Sequence, residues 1–372
     1  MTQTPRLKAT GQNSFVSRLI MSEYFILVLS VLYFFLITAI VPSMMSVNNL
    51  KNIFSNMWPL FAIAIGQTFV LLLGGIDLSQ TSVMAVTSVI GAAFMCNSAN
   101  PAVLGKAPIW GWLITESGGP LASMPAVAST LIGIAIMLLI GTLIGFINGN
   151  LIARLNMPPF MVTLIAQMFY SALAIYITKS QNIMFLPETF ENLGSDGIGF
   201  FPYSFFVAIF LATAAQLLLS LTILGRFIYT TGGNIHAARI SGVSVVRTTV
   251  FVYSFSGFCA AIGSVLYSGR LMQGRPTMGS AMLLDIMAAT IIGGTSTFGG
   301  KGKVSWTLYG VLFYTILATS LQQLKLDNFT INIVKGIVIL AAATLDAVRS
   351  GIRRTKVSAA PGQEGKKAQE HG

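Results

Sequence analysis

The sequence predicts an all-α polytopic membrane protein with about ten transmembrane helices. Three observations carry that expectation. Charged residues make up 9% of the 372 positions, against roughly 25% in soluble domains. Hydrophobic residues make up 54%, and the mean hydropathy is +0.77. A soluble fold of this size could not cover so much apolar surface with so few charges. The apolar residues also fall into runs of membrane-crossing length. The net charge of +11 would suggest nucleic acid as a partner for a soluble chain; here its placement matters more than its sum.

A helix crossing the hydrocarbon needs about 20 apolar residues, fewer where neighbours shield it. In order along the chain, spans are expected at 24–43, 58–74, 79–96, 125–148, 160–178, 201–224, 248–269, 281–293, 304–322 and 329–348. Two depart from the simple pattern. The third is rich in Ser and Thr, and the eighth is short and carries Asp285. Such segments are tolerated inside a bundle or against a water-filled cavity.

Basic residues set the orientation. With the N-terminus in the cytosol, the inner segments hold Arg6, Lys8, Arg18, Arg154, Arg226, Arg239, Arg247, Lys301 and Lys303, and six more between Arg349 and Lys367. The outer segments hold Lys51, Lys106, Lys179, Arg270, Arg275 and Lys325. Fifteen against six favours cytosolic N- and C-termini and an even number of spans.

The domain plan follows. Residues 1–23 are expected to form a cytosolic N-terminal segment, 24–349 a ten-span transmembrane domain, and 350–372 a disordered basic cytosolic tail anchoring topology near anionic lipid. The first apolar run has full span length and no A-x-A site soon after it, so it is expected to be retained. The longest outer loops, 97–124 and 179–200, carry Glu116, Glu188, Glu191 and Asp196 and are expected to form short surface helices. Cys96 and Cys259 read as small membrane residues, with neither disulfide nor metal spacing. Gly-rich polar junctions recur at Gly74–Ser79 and Gly293–Lys303, one in each half, which fits two related halves.

Catalysis finds little support. A phosphate loop needs G-x-x-x-x-G-K-[ST]; in Gly293–Lys303, Thr297 stands where glycine is required and Val304 follows the lysine, so no ATP site is expected. The two histidines, His236 and His371, lie in a loop and in the tail, without a catalytic or metal-binding motif. Asp77 and Asp285 match an intramembrane aspartyl pair by number only. Asp77 is read either as a helix cap before Leu78-Ser79 or as a polar wall near an inner mouth. Asp285 and Lys335 fall inside apolar runs, where mutual pairing would lower the cost of each charge. Gln67, Asn148 and Asn150 are uncharged polar groups suited to helix–helix hydrogen bonds or to a hydroxylated solute. Gln67, Asp77, Asn148, Asp285 and Lys335 are the pathway candidates. Phe34, Phe35, Trp58 and Trp306 read as membrane belt and packing.

The stretch Gly225–Arg247 is the longest membrane-free inner segment between spans. Gly232-Gly233 is expected to turn, Asn234 to cap a short helix 235–240, and Gly242 to end it. Ala237 and Ala238 would face one way, suited to a partner's cleft, with His236 and Arg239 at the rim. A plain membrane-surface helix is the alternative.

The stretch GGNIHAARISGVSV (Gly232–Val245) resembles the cytosolic G-G-N-x-x-A-A-R-x-S-G-[IV] loop of the permease subunits of ribose-type sugar ABC importers, the branched-chain/monosaccharide permease group. GGIDLS (Gly74–Ser79), GGTSTFGGKGKV (Gly293–Val304) and VKGIVILAAATLD (Val334–Asp346) resemble its other signatures, in order, across about residues 20–350. The resemblance implies a ten-span type II ABC importer fold in the bacterial inner membrane, with a second permease copy as homodimer or heterodimer. It also implies ABC ATPase subunits and a periplasmic or lipid-anchored binding protein delivering a sugar. It assigns coupling to Gly233, Asn234, Ala237, Ala238, Arg239, Ser241 and Gly242, and implies no catalytic residue, metal, cofactor or nucleic acid. Branched-chain amino acids or nucleosides are the rival solutes, and an ion-coupled transporter is the rival class. Gln80-Thr81-Ser82 departs from the usual V-G-S, and loop 97–124 is longer than usual, which leaves the solute open.

Overall fold

The computed structural model describes residues 22–341 and Thr344. Arg6, Lys8, Arg18, the end of the tenth expected span and the basic tail 350–372 lie outside the described residues.

Helix α1 (Phe25–Ile40) leads through a 3-10 turn (Pro42–Met45) into α2 (Val47–Leu72). Ser46 starts α2 by accepting a hydrogen bond from the Asn49 backbone N–H. The helix begins earlier than the apolar run, because the Ser46 cap sits eleven residues before Met57. The α2 window is 89% buried. An apolar helix buried on all sides is the centre of a bundle, and α2 takes that place. Helix α3 (Gln80–Met95) follows the Gly74–Ser79 junction and is nearly enclosed.

Helices α4 (Ala126–Arg154), α5 (Pro159–Thr178) and, after a short helix α6 (Glu188–Ser195) and a hairpin (Gly197–Ile198 with Phe201–Pro202), α7 (Tyr203–Leu221) lie outermost. Only 22–33% of their apolar windows is buried in the chain, the pattern of a surface that faces lipid. Next come α8 (Ile223–Gly233), α9 (Ile235–Ile240) and α10 (Val245–Leu271). The chain continues through α11 (Leu283–Gly293), α12 (Val304–Gln323) and α13 (Asn328–Ala341). The outer loops do hold short helices, one turn at Pro101–Leu104 and α6.

Among the described residues, six helices are long and apolar enough to cross a membrane: α2, α4, α5, α7, α10 and α12. Four shorter apolar helices, α1, α3, α11 and α13, occupy the remaining expected spans. At 1.5 Å per residue, the 16 residues of α1 and α3 reach about 24 Å. The hydrocarbon core is roughly 30 Å thick.

The chain is held together where α4 crosses α10. Gly141, Gly145 and Gly149 form one stripe of α4, four residues apart, and face Val250, Tyr253, Ser254 and Gly257 of α10. A Cβ on Gly145 would stand 2.2 Å from the Tyr253 carbonyl oxygen, and one on Gly257 would stand 2.1 Å from the Gly141 carbonyl. The two backbones touch there, as small-x-x-x-small stripes permit.

The connections gather in two sets. In one, the Gly300 N–H donates to Leu72 O (2.8 Å), the Tyr229 hydroxyl donates to Gly302 O (2.7 Å), and Lys303 Nζ pairs with Glu23 at 2.8 Å. The hydrogen bond from Lys303 holds the Glu23 carboxyl below its ordinary value. In the other set, Ile183 and Gly274 exchange backbone bonds (2.9 and 2.8 Å), the Asn97 N–H donates to Phe185 O (2.8 Å), and Gln323 donates to Asn49 (2.8 Å). The two glycine-rich junctions, Gly74–Ser79 and Gly293–Lys303, meet in the first set, where Gly74 lies against Phe298 and Gly299.

Candidate functional site

The segment from Ile223 to Val245 is built from local signals. The Thr222 hydroxyl accepts from the Gly225 N–H and starts α8. The expected turn at Gly232-Gly233 does not form: both are the last residues of α8, and the chain turns at Asn234, which is extended (φ −160°). Gly232 serves close packing rather than a turn, for a Cβ there would lie 1.8 Å from Leu72 O. Asn234 Oδ1 accepts from the backbone N–H groups of His236 and Ala237, each at 3.0 Å, and so caps α9.

The far end closes as a Schellman motif. Gly242 adopts φ +78°, its N–H donates to Arg239 O (3.1 Å), and the Val243 N–H donates to Ala238 O (3.0 Å). Only glycine takes that left-handed conformation without strain. Ala237 and Ala238 do not share a face. Ala238 is fully buried, whereas Ala237 is exposed. A six-residue helix sealed on one side can offer a neighbour only its other side. That side includes Ile240, 89% exposed, which the motif did not single out. An isoleucine with no apolar neighbour in sequence was the available signal. Asn234→Ala is expected to loosen α9 by about 1 kcal/mol, read as faster hydrogen exchange at the His236 and Ala237 amides with the spans unchanged.

Of the five pathway candidates, two meet in a buried network at the α2–α3 junction. Asp77 Oδ1 accepts from the Ser79 N–H (2.9 Å) and the Ser79 hydroxyl (2.6 Å), and Oδ2 accepts from the Ser256 hydroxyl (2.6 Å). Asn148 Nδ2 donates to Ser79 Oγ (3.0 Å), and Gln80 Nε2 donates to Ser256 Oγ (2.8 Å). Ser79, not Asp77, holds the cap position of α3, so Asp77 braces the junction two residues upstream. At 3% exposure it does not line an open mouth in the single chain. Its three hydrogen bonds, with the Asn148–Ser79 bond beside them, tie the α2–α3 junction to α4 and α10 at one point.

Asp285 and Lys335 do pair. Nζ lies 3.2 and 3.3 Å from the two carboxylate oxygens, with side chains 18% and 17% exposed. The Tyr314 hydroxyl donates to the same carboxylate, and its ring lies 5.2 Å from Nζ. The pair joins α11 to α13 across α12. Gln67 stands apart: it is buried on α2, with Nε2 3.0 Å from Met287 Sδ and Oε1 without a partner. Asn150 bonds back to Phe146 O on its own helix. Trp58, expected in the membrane belt, is instead 4% exposed, enclosed by Phe54, Phe61 and Phe205. Both cysteines are buried and free. Among the described residues, no group of three His, Cys, Asp or Glu could hold a metal ion.

Comparisons with known proteins agree on one family. A family model described as the branched-chain amino acid transport system / permease component matches residues 49–343. A ribose import permease of Haemophilus influenzae is 31% identical over 315 residues, covering 84% of this chain and 88% of the relative. A ribose import permease of Bacillus subtilis is 32% identical over 312 residues, 83% and 88%. An L-arabinose transport system permease of Escherichia coli is 28% identical over 344 residues, 92% and 96%. No solved structure matches the chain. The helical bundle, the order of its glycine-rich junctions and these matches together make the chain a member of the branched-chain amino acid transport system / permease component family.

Proposed function

We propose that this chain is the permease subunit of an ATP-driven ABC importer for a sugar in the bacterial inner membrane. The family's description names branched-chain amino acids, but the relatives similar over most of their length are named for ribose and L-arabinose, which favours a sugar. ATPase subunits, an extracytoplasmic binding protein and a second permease copy are its partners.

Ten spans with both termini in the cytosol are part of the proposal. Its support is the sorting of the connections. Those assigned to the cytosol from their basic residues bond to one another, as do those assigned to the outside. The domain is then 24–349, with 1–23 and 350–372 as cytosolic extensions.

The observation that carries the proposal is α9. It is capped at both ends, and it turns a fully buried Ala238 inward and an 89% exposed Ile240 outward. Gly233, Asn234, Ala237, Arg239, Ser241 and Gly242 form or border the contact with the ATPase, and Ala238 seats it. ATP-driven closure moves this helix as a rigid body and, through α8 and α10, switches access. Gln67, Asp77, Asn148, Asp285 and Lys335 support the passage from within the bundle.

Ala237 gives the cleaner test, since a carboxylate at the buried Ala238 would disturb the fold itself. Ala237→Glu in the assembled importer is expected to leave thermal unfolding of the permease unchanged. It should also cut the ATP hydrolysis stimulated by loaded binding protein by about 10-fold or more, one lost contact of about 1.4 kcal/mol. Full stimulation by the variant would refute the assignment.

A further inference from the structure

A cleft of about 350 Å³ separates the α8–α10 segment from the rest of the bundle. One wall is stiff. It holds Gly74 in a left-handed turn (φ +81°), Asn156 in the same region (φ +52°), and Pro158 and Pro159, which start α5. The opposite wall carries Thr231 at the end of α8 and Tyr253 on α10, with the exposed Arg239 on α9.

Two groups in this cleft are unexplained by the fold. The hydroxyls of Tyr253 and Thr231 are buried and have no hydrogen-bond partner, in residues 0% and 4% exposed. Buried hydroxyls are costly when unpaired. Ile152 and Ala153, near the end of α4, also line the cleft, and a helix end presents carbonyls that its own backbone leaves unused. The cleft therefore mixes hydroxyls, carbonyl acceptors and one rim guanidinium. Its volume lies at the lower end of small-molecule sites, about 300–1,000 Å³.

We propose that this cleft binds a small neutral polyol of monosaccharide size, namely the imported sugar on its cytosolic side. Donors and acceptors together in one cleft match a solute that is itself both. Bound there, the sugar bridges the stiff wall and the coupling segment through Thr231 and Tyr253. It holds α8 and α9 in place, so accumulated product slows its own import. The cytosolic location and the braking effect rest on the function proposed above; the binding itself does not.

The test uses the assembled importer carrying Ala153→Cys in the cleft wall. The native thiols of Cys96 and Cys259 are buried, so a small thiol reagent reads the new position. Ribose and L-arabinose are the probes, with betaine as a control osmolyte without hydroxyls. One of the sugars is expected to slow alkylation about tenfold at a concentration about ten times its Kd. Adding Tyr253→Phe or Thr231→Val should raise the half-protecting concentration about tenfold, the loss of one hydrogen bond in the site. Initial uptake into empty vesicles and thermal unfolding should not change. If neither sugar slows alkylation, or if both hydroxyl-free variants are protected as well as the parent, the cleft is not a sugar site. Failure of the importer proposal has a different signature: no ATP-dependent uptake of either sugar, whatever the alkylation rate.

Discussion

Asp285→Ala is expected to cost about 3–5 kcal/mol of stability, because it strands a buried ammonium. Lys335 Nζ now sits 3.2 and 3.3 Å from the two oxygens of Asp285, with both side chains more than four-fifths enclosed. Once the carboxylate is gone, the described residues offer Lys335 the face of Tyr314, 5.2 Å from its centroid. A cation over an aromatic ring recovers about 0.5–2 kcal/mol, less than the loss. The Tyr314 hydroxyl loses its acceptor as well. The double variant Asp285→Leu with Lys335→Met should regain most of the loss, since replacing a whole buried pair by apolar groups is often neutral or stabilising by about 1–4 kcal/mol. Unfolding of the purified permease in detergent measures both. A single variant as stable as the parent would mean that Lys335 leaves the bundle for the interface instead. Sugar uptake by the double variant then separates two roles. Retained uptake makes the pair a brace between α11 and α13. Lost uptake with restored stability makes it part of the passage.

The sequence announced the apolar helices in their order, because each is a long apolar run bounded by polar junctions. Their ends were less legible. Helix α2 begins at Val47, well before the expected start at 58, because a serine cap and interior packing extend a helix through Asn48, Asn49, Lys51 and Asn52. Hydropathy alone cannot see a cap. The Asn234 cap and the Gly242 stop were readable, since both act within four residues. The inward turn of Ala238 was not, because alanine carries no sign of which side of a short helix will be covered. The same holds for Trp58, whose ring suits the membrane belt but packs against Phe54 and Phe61 of its own helix and Phe205 of α7. The network joins Asp77 to Ser256, 179 residues away, and Ser79 to Asn148, 69 residues away. Only the fold could join them. The α4 stripe was different: Gly141, Gly145 and Gly149 stand in plain view at spacing four, and that signal marks a close helix crossing.

That crossing sets the last expected result. Gly145→Ala is expected to destabilise by about 1–3 kcal/mol, and Gly145→Val by more. The reason is what the added atom meets. Its Cβ would lie 2.2 Å from the Tyr253 carbonyl oxygen and 3.0 Å from Ser254 Cα, both backbone atoms of α10. A side chain can rotate away, but a helix backbone must shift as a whole. Moving α10 away from α4 also strains the network at Ser256, which directly precedes Gly257 of that crossing and is bonded to Asp77. Gly336→Ala is the control. A Cβ there meets nothing within 4 Å, so the change should gain up to about 1 kcal/mol from helix propensity alone. Unfolding midpoints of the two alanine variants are thus expected to move in opposite directions. If Gly145→Ala matched Gly336→Ala, the backbone contact between α4 and α10 would not be what holds the bundle, and the link from that crossing to the Asp77 network would fall with it.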